Sequence, residues 1–252
     1  MKRTLHGLAV LVLVLAAAAP AHAGPPGHEP GGYGFQFRLG GFLPAGGGQL
    51  WDNNEQIFTL DASDFNDAAL GFSFIAGVSN NIEVGFNVDW YESTAGSYDR
   101  GFEGAQGLNP PHDTTLRLSP VTFDFRFLPA GRYSYRGKGQ HRVHQAVPYF
   151  GAGVGLLFWN YDENGYFIYQ NTDTGAYENQ YADMGDDGTA LEVHVLAGVE
   201  IPMSPSWNLL FEGRYSWADA DVNNSYVAAS ELASQNLKLD GMYFFAGASW
   251  HF

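Results

Sequence analysis

The chain has no cysteine, so no disulfide framework can make up for a small core, and a cysteine-linked lipid anchor is excluded. Charge is scarce too, at 15% of residues, and lopsided: 27 acidic residues stand against 12 Lys and Arg. That balance argues against nucleic acid as a partner, because such partners call for a basic face. A long apolar run is also missing. The run from Leu8 to Ala19 falls short of the ~20 residues of a spanning helix. It follows Lys2 and Arg3 and precedes Ala21-His22-Ala23, the pattern of a signal peptide cleaved after Ala23. Losing Lys2 and Arg3 takes the formal charge from −15 to −17. Residues 24–252 then form one domain, rich in what the rest lacks: aromatics reach 15%, with 32 glycines.

Residues 147–161, VPYFGAGVGLLFWNY, carry no charge until Asp162 ends the run. Gly151, Gly153 and Gly155 alternate with Phe150, Ala152, Val154, Leu156 and Phe158. In a helix each glycine would cost about 1 kcal/mol relative to alanine. A strand, whose side-chain period is two, puts the glycines on one face and the apolar residues on the other. The same alternation recurs at Phe35/Phe37/Leu39 and at Leu70/Phe72/Phe74. It returns at Ile82/Val84/Phe86/Val88/Trp90, Val121/Phe123/Phe125/Phe127 and Leu191/Val193/Val195. Leu209/Phe211 with Tyr215/Trp217, and Met242/Phe244 through Trp250 and Phe252, complete the set.

Eight strands result, with tight turns near residues 79–81 and 204–206 and long polar connections at 44–68, 92–115, 160–189 and 218–237. The connection 128–146 is the long exception. Short turns on one side and long loops on the other predict an all-β fold: a closed antiparallel transmembrane barrel of the bacterial outer membrane. Lipid offers no hydrogen bonds, so strands can span only as a ring without edges. Ten strands is the alternative, if GYFIYQ (165–170) belongs to an extra hairpin. A soluble sandwich or lipocalin-like barrel would turn its apolar face inward. Here the second face carries charges among glycines, which suits the narrow interior of a small membrane barrel. Phe150, Phe158, Trp90, Trp217 and Trp250 sit toward strand ends, as interfacial girdles do.

The closing GASWHF, ending on Phe252, resembles the carboxyl-terminal signal that the barrel assembly machinery reads. VPYFGAGVG with the following NYDENG, the upstream LRLSPVTFDFRFLP, and the downstream VEIPMSPSWNLLFEGRYSWADADVN and LDGMYFFAGASWHF are together similar to the outer membrane protein W family. The resemblance implies an eight-stranded barrel that binds or passes small hydrophobic molecules through an apolar pocket near the outer end and a lateral opening. Carried onto the strand phases here, the pocket would take Leu116, Leu118, Leu157 and Trp159.

The inward polar set is Arg38, Glu83, Asp89, Asp124, Arg126, Glu192, His194, Glu200, Glu212 and Arg214. An ion path and a structural charge network are both open to it. The network is favoured, since buried charges need partners. Glu192 and His194, with Ser216 on a neighbouring strand, could form an acid–base–nucleophile group if they met and could reach lipid. GAGVG continues as strand, so it is no phosphate loop. Asp52, Glu55, Asp61, Asp64 and Asp67 gather in the first loop. Asp162, Glu163, Asp173, Glu178, Asp183, Asp186 and Asp187 gather in the third, without calcium-loop spacing. The stretch 132–144, RYSYRGKGQHRVH, reads as a basic periplasmic turn that is either solvated or set against anionic headgroups, and His141 and His144 do not make a zinc site.

The expected protein is not an enzyme, uses no cofactor or metal, and is monomeric or weakly oligomeric. It binds or passively passes small, hydrophobic molecules. Its expected partners are outer-membrane lipids and lipopolysaccharide, the assembly machinery and a small hydrophobic ligand, with no nucleic acid. A plugged barrel acting through acidic extracellular loops is the alternative, and a lipid-modifying enzyme the third reading.

Overall fold

The computed structural model describes residues 32–100, 111–136, 141–143, 145–171, 173–175, 177–222 and 235–252; the leader and its cleavage site lie outside them. In chain order the elements are β1 (Tyr33–Pro44), α1 (Gln49–Ile57), a 3-10 turn (Ala62–Phe65), β2 (Asp67–Gly77), β3 (Ile82–Tyr98) and β4 (Pro111–Phe127). A hairpin of β5 (Ser134–Arg136) and β6 (His141–Val143) follows, then β7 (Val147–Gln170), β8 (Tyr177–Pro202), β9 (Trp207–Val222), β10 (Gln235–Lys238) and β11 (Gly241–His251).

Eight of these close a ring, β1-β2-β3-β4-β7-β8-β9-β11, every pairing antiparallel; β10 runs along β9 above β11. The ring closes with a stagger. From His251 the paired path runs through Gly34, Ile75, Gly85, Asp124, Gly153, His194 and Ser216 to Gly241. It returns to the strand it left ten residues earlier, so the strands tilt, as closure requires. The ten-strand alternative is not what forms. Residues 165–170 prolong β7, paired with Tyr177–Ala182 of β8. The third connection is therefore mostly a two-stranded ribbon, not a loop, because β7 and β8 satisfy each other's backbone well beyond the ring.

Alternation settles the two faces. Phe35, Phe37, Leu39, Phe123, Phe125, Val154, Leu156, Val193 and Phe211 are all exposed on the outer wall. Their counterparts on the inner face are buried and mostly polar. At the end with the tight turns, Trp207 stacks on Trp250, and Phe252 packs against Tyr33, Phe35 and Trp250. Toward the other end Phe72 meets Trp90 edge-on. No helix among the described residues is long and apolar enough to cross a membrane.

Inward glycines explain how so narrow a ring holds large side chains. A Cβ on Gly71 would overlap the Asp89 carboxylate, one on Gly85 that of Asp124, and one on Gly153 the His194 ring. Each of these side chains leans over the glycine of the neighbouring strand. The first long connection also differs from a polar loop. Gly46, Gly47 and Gly48 all have positive φ, which glycine adopts without steric cost. They turn the chain back so that α1 enters the barrel mouth with Leu50, Trp51 and Asn54 buried. The following 3-10 turn is capped by Asp61, which accepts hydrogen bonds from Ser63 Oγ and N, holding its carboxyl below the usual aspartate value.

Candidate functional site: the filled lumen

The lowest layer of the lumen is built around Arg132, which leaves the turn after β4 and enters the ring from below. Its Nη1 donates to Glu200 Oε2 at 2.8 Å and its Nη2 to Glu83 Oε2 at 2.9 Å, while Nε also meets Glu83. Glu200 gains His251, Asn208, Ser249 and Gln36 as well. Arg132 was expected in a basic periplasmic turn; it is buried instead, drawn in by two carboxylates that would otherwise lack a cation. The sequence signal that could have found it was the surplus of inward acids over arginines. Of the rest of that basic turn, Lys138 and His144 lie outside the described residues, while Arg136 is in β5, and His141 and Arg142 are in β6.

The middle layer brings six of the ten inward polar residues together. Arg38 bridges Asp89 at 2.6 Å and Glu212 at 2.7 Å, and Arg214 bridges the same two acids at 2.6 and 3.0 Å. Arg126 pairs with Asp124 at 3.0 Å and lies 3.5 Å from Glu212, to which Tyr149 also donates. Gln36 links this layer to the one below by accepting from Arg126 and donating to Glu200. Two acids held between two forked guanidiniums form a compact cross-brace, the geometry in which arginine outperforms lysine.

Glu192 and His194 form a separate step at the upper edge. The Glu192 Oε1 to His194 Nδ1 distance is 3.4 Å, and neither His194 nitrogen has a hydrogen-bond partner among the described residues. Ser216 is the backbone partner of His194 across β8–β9, yet its hydroxyl does not reach the ring. All three are buried, away from lipid and water. A second serine–histidine–glutamate grouping, Ser249–His251–Glu200, has both partners on the same nitrogen, Nε2, at 2.5 and 2.8 Å. A base must accept from the nucleophile on one nitrogen and be oriented through the other, so neither grouping has that geometry.

Above the charges the lumen turns apolar. Leu116, Leu118, Leu157 and Trp159 join Tyr243, Phe245, Phe42, Tyr91, Ala190, Ala218 and Ala220 in one buried cluster. That cluster also contains Leu50, Trp51, Phe58, Leu60 and Phe65 of the first connection, so the chain fills its own chamber. Polar contacts hold the filling in place. Trp51 Nε1 donates to Lys238 O at 2.9 Å, Asn54 donates to Tyr161 Oη at 2.5 Å and to Glu163, and Tyr91 donates to Phe65 O. Phe58 stacks on His112 with centroids 4.1 Å apart. Glu163, read from the sequence as a loop acid, is buried in this latch.

The wall beside the chamber is incompletely zipped. Pairing of β8 with β9 stops at Glu192–Ala218; above it, among the described residues, β8 pairs with β7 and β9 with β10. The β3–β4 ladder skips Asp89 and Trp90, opposite Pro120 and Ser119; Pro120 has no N–H to give. A recess of about 690 Å³ between Leu39, Ala197, Phe211, Gly213, Phe244 and Ala246 lies on the outer wall, where small residues face lipid.

A closed antiparallel ring, apolar outside, with buried ion pairs and then buried apolar side chains inside, defines a transmembrane β-barrel. No family model matches the chain and no curated protein sequence does. Among solved structures it is similar to the outer membrane protein OprG from Pseudomonas aeruginosa, at 13% identity over 90% of this chain and 98% of that one, with a TM-score of 0.48. It is similar to the outer membrane protein AlkL, at 17% identity over 92% and 95% with a TM-score of 0.36. Ail of Yersinia pestis gives 12%, 89% and 100%, with a TM-score of 0.40. The assignment to membrane barrels rests on the ring and its two faces.

Proposed function

We propose that this protein is a bacterial outer-membrane barrel that binds small hydrophobic molecules in its upper lumen and passes them sideways, not straight through. One observation carries the reading: an apolar chamber containing Leu116, Leu118, Leu157 and Trp159 sits on layers of fully embedded ion pairs. An apolar solute can be stabilised in the chamber by about 25 cal/mol per Å² of apolar surface removed from water. Below it, a solute would have to break several buried ion pairs. The unzipped β8–β9 edge, flanked inside by Ala190, Ala218 and Ala220, offers a route toward lipid at chamber height. An even number of antiparallel strands with short turns on one side supports the outer-membrane location.

The filling of the chamber by α1 favours the second reading, a plugged barrel working through its acidic outer segments. Planar-bilayer recordings of refolded protein, with a long-chain alcohol added, separate the two when combined with binding. Binding of the alcohol that weakens in Leu157→Ala and Trp159→Ala supports the chamber. Absence of binding in folded protein moves the function to the outer surface. A change in lipid composition on expression, abolished by His194→Ala, would instead restore the enzyme reading.

A further inference from the structure

Trp51 is held as a bound ligand is held. Its side chain is about 1% exposed, its ring meets Phe65 edge-on with centroids 5.1 Å apart, and its one polar atom donates to a backbone carbonyl, Lys238 O. The segment that carries it has little of its own to keep it helical. α1 has nine residues, too few to be stable alone in water. Its N-terminus lacks a side-chain cap, and the three glycines before it form a hinge. Among the strands α1 packs mainly on β10, four residues long, and is latched to β7 through Asn54. The 3-10 turn packs on β1 and β3 and meets the helix where Phe65 touches Trp51. Helix and turn thus have different strand partners, so release of the helix need not carry the turn with it.

We propose that α1 is a displaceable internal plug and that the seat of Trp51 is a ligand site for a planar aromatic molecule bearing one N–H or O–H donor. This rests on the chamber reading above and names its ligand class. The seat supplies the complement of such a molecule: apolar walls, an aromatic edge from Phe65, and one acceptor, Lys238 O, that needs a donor when water is excluded. A purely aliphatic ligand would leave that carbonyl unpaired. In the resting protein Trp51 competes for the seat, and the apparent affinity is lowered by the fraction of time the plug is out.

The test is equilibrium dialysis of indole and of 1-methylindole, which lacks the donor, against heat-modifiable, refolded full-length mature protein. Trp51→Ala vacates the seat, as cavity-creating substitutions that admit small aromatics do. It is expected to bind indole at least about ten-fold more tightly than the parent, and 1-methylindole about ten-fold more weakly than indole. In the parent background, thiol labelling of Leu50→Cys is expected to speed up with saturating indole as α1 leaves. Equal indole affinity in parent and Trp51→Ala, or no preference for the donor, overturns the proposal. Should Trp51→Ala fail to fold, labelling of Leu50→Cys that ignores indole overturns it alone. A long-chain alcohol run in parallel separates the two ideas: its binding with no indole gain sinks the Trp51 seat but keeps the chamber, and no binding of either sinks both.

Discussion

Removing the Arg132 side chain tests the packing logic of the lumen most directly. Arg132 places four donor contacts on two carboxylates whose side chains are 3% and 1% exposed. Taking away the cation leaves both acids buried, and breaking a buried pair from one side costs about 3–5 kcal/mol. The loss should divide unequally. Glu200 keeps His251, Asn208, Ser249 and Gln36, whereas Glu83 has Arg132 as its hydrogen-bond partner among the described residues. Arg132→Ala should therefore lose about 3–5 kcal/mol in urea titrations of refolded protein followed by tryptophan fluorescence. Adding Glu83→Gln should recover more of it than adding Glu200→Gln, since neutralising Glu83 removes the stranded charge. A loss under about 1 kcal/mol, the scale of an exposed pair, would refute the buried assignment of Arg132. Equal recovery by the two glutamines would refute the unequal division.

Gly153→Ala should destabilise by about 1–3 kcal/mol, because its Cβ would overlap the His194 ring and the Phe123 carbonyl. Gly41→Ala, whose Cβ meets only Asp67 O at 3.5 Å, should be near neutral by the same titration. Replacing residues 47–66 with a short Gly-Ser linker should leave planar bilayers silent, because the Arg38–Asp89–Arg214–Glu212 brace still closes the ring; resolved channels would show that the plug alone seals it. Phe252→Ala should lower the yield of assembled barrel in cells. Phe252 exchanges backbone hydrogen bonds with Tyr33 at 2.9 and 3.0 Å, and its ring packs on Phe35 and Trp250. Unchanged yield would remove Phe252 from the assembly reading.

The period-two alternation in the sequence decides the faces of the strands and the membrane class by itself, while the choice between eight and ten strands falls to the pairing of 165–170 with β8. Lipid demands a continuous apolar outer face, so Phe123-Asp124-Phe125-Arg126 admits one orientation only. For the same reason the identities of the inward charges are legible, from Arg38 to Arg214. Their partners are not, because a bridge such as Arg38–Glu212 joins residues 174 positions apart, and only the ring and its ten-residue stagger bring them level. Nor does the sequence show that Arg132 turns inward or that Trp51 fills the chamber. Both lie in connections without alternation, where no face is imposed by lipid. Their places are fixed by what the closed ring leaves unsatisfied: two carboxylates short of a cation below, and an apolar cavity short of contents above.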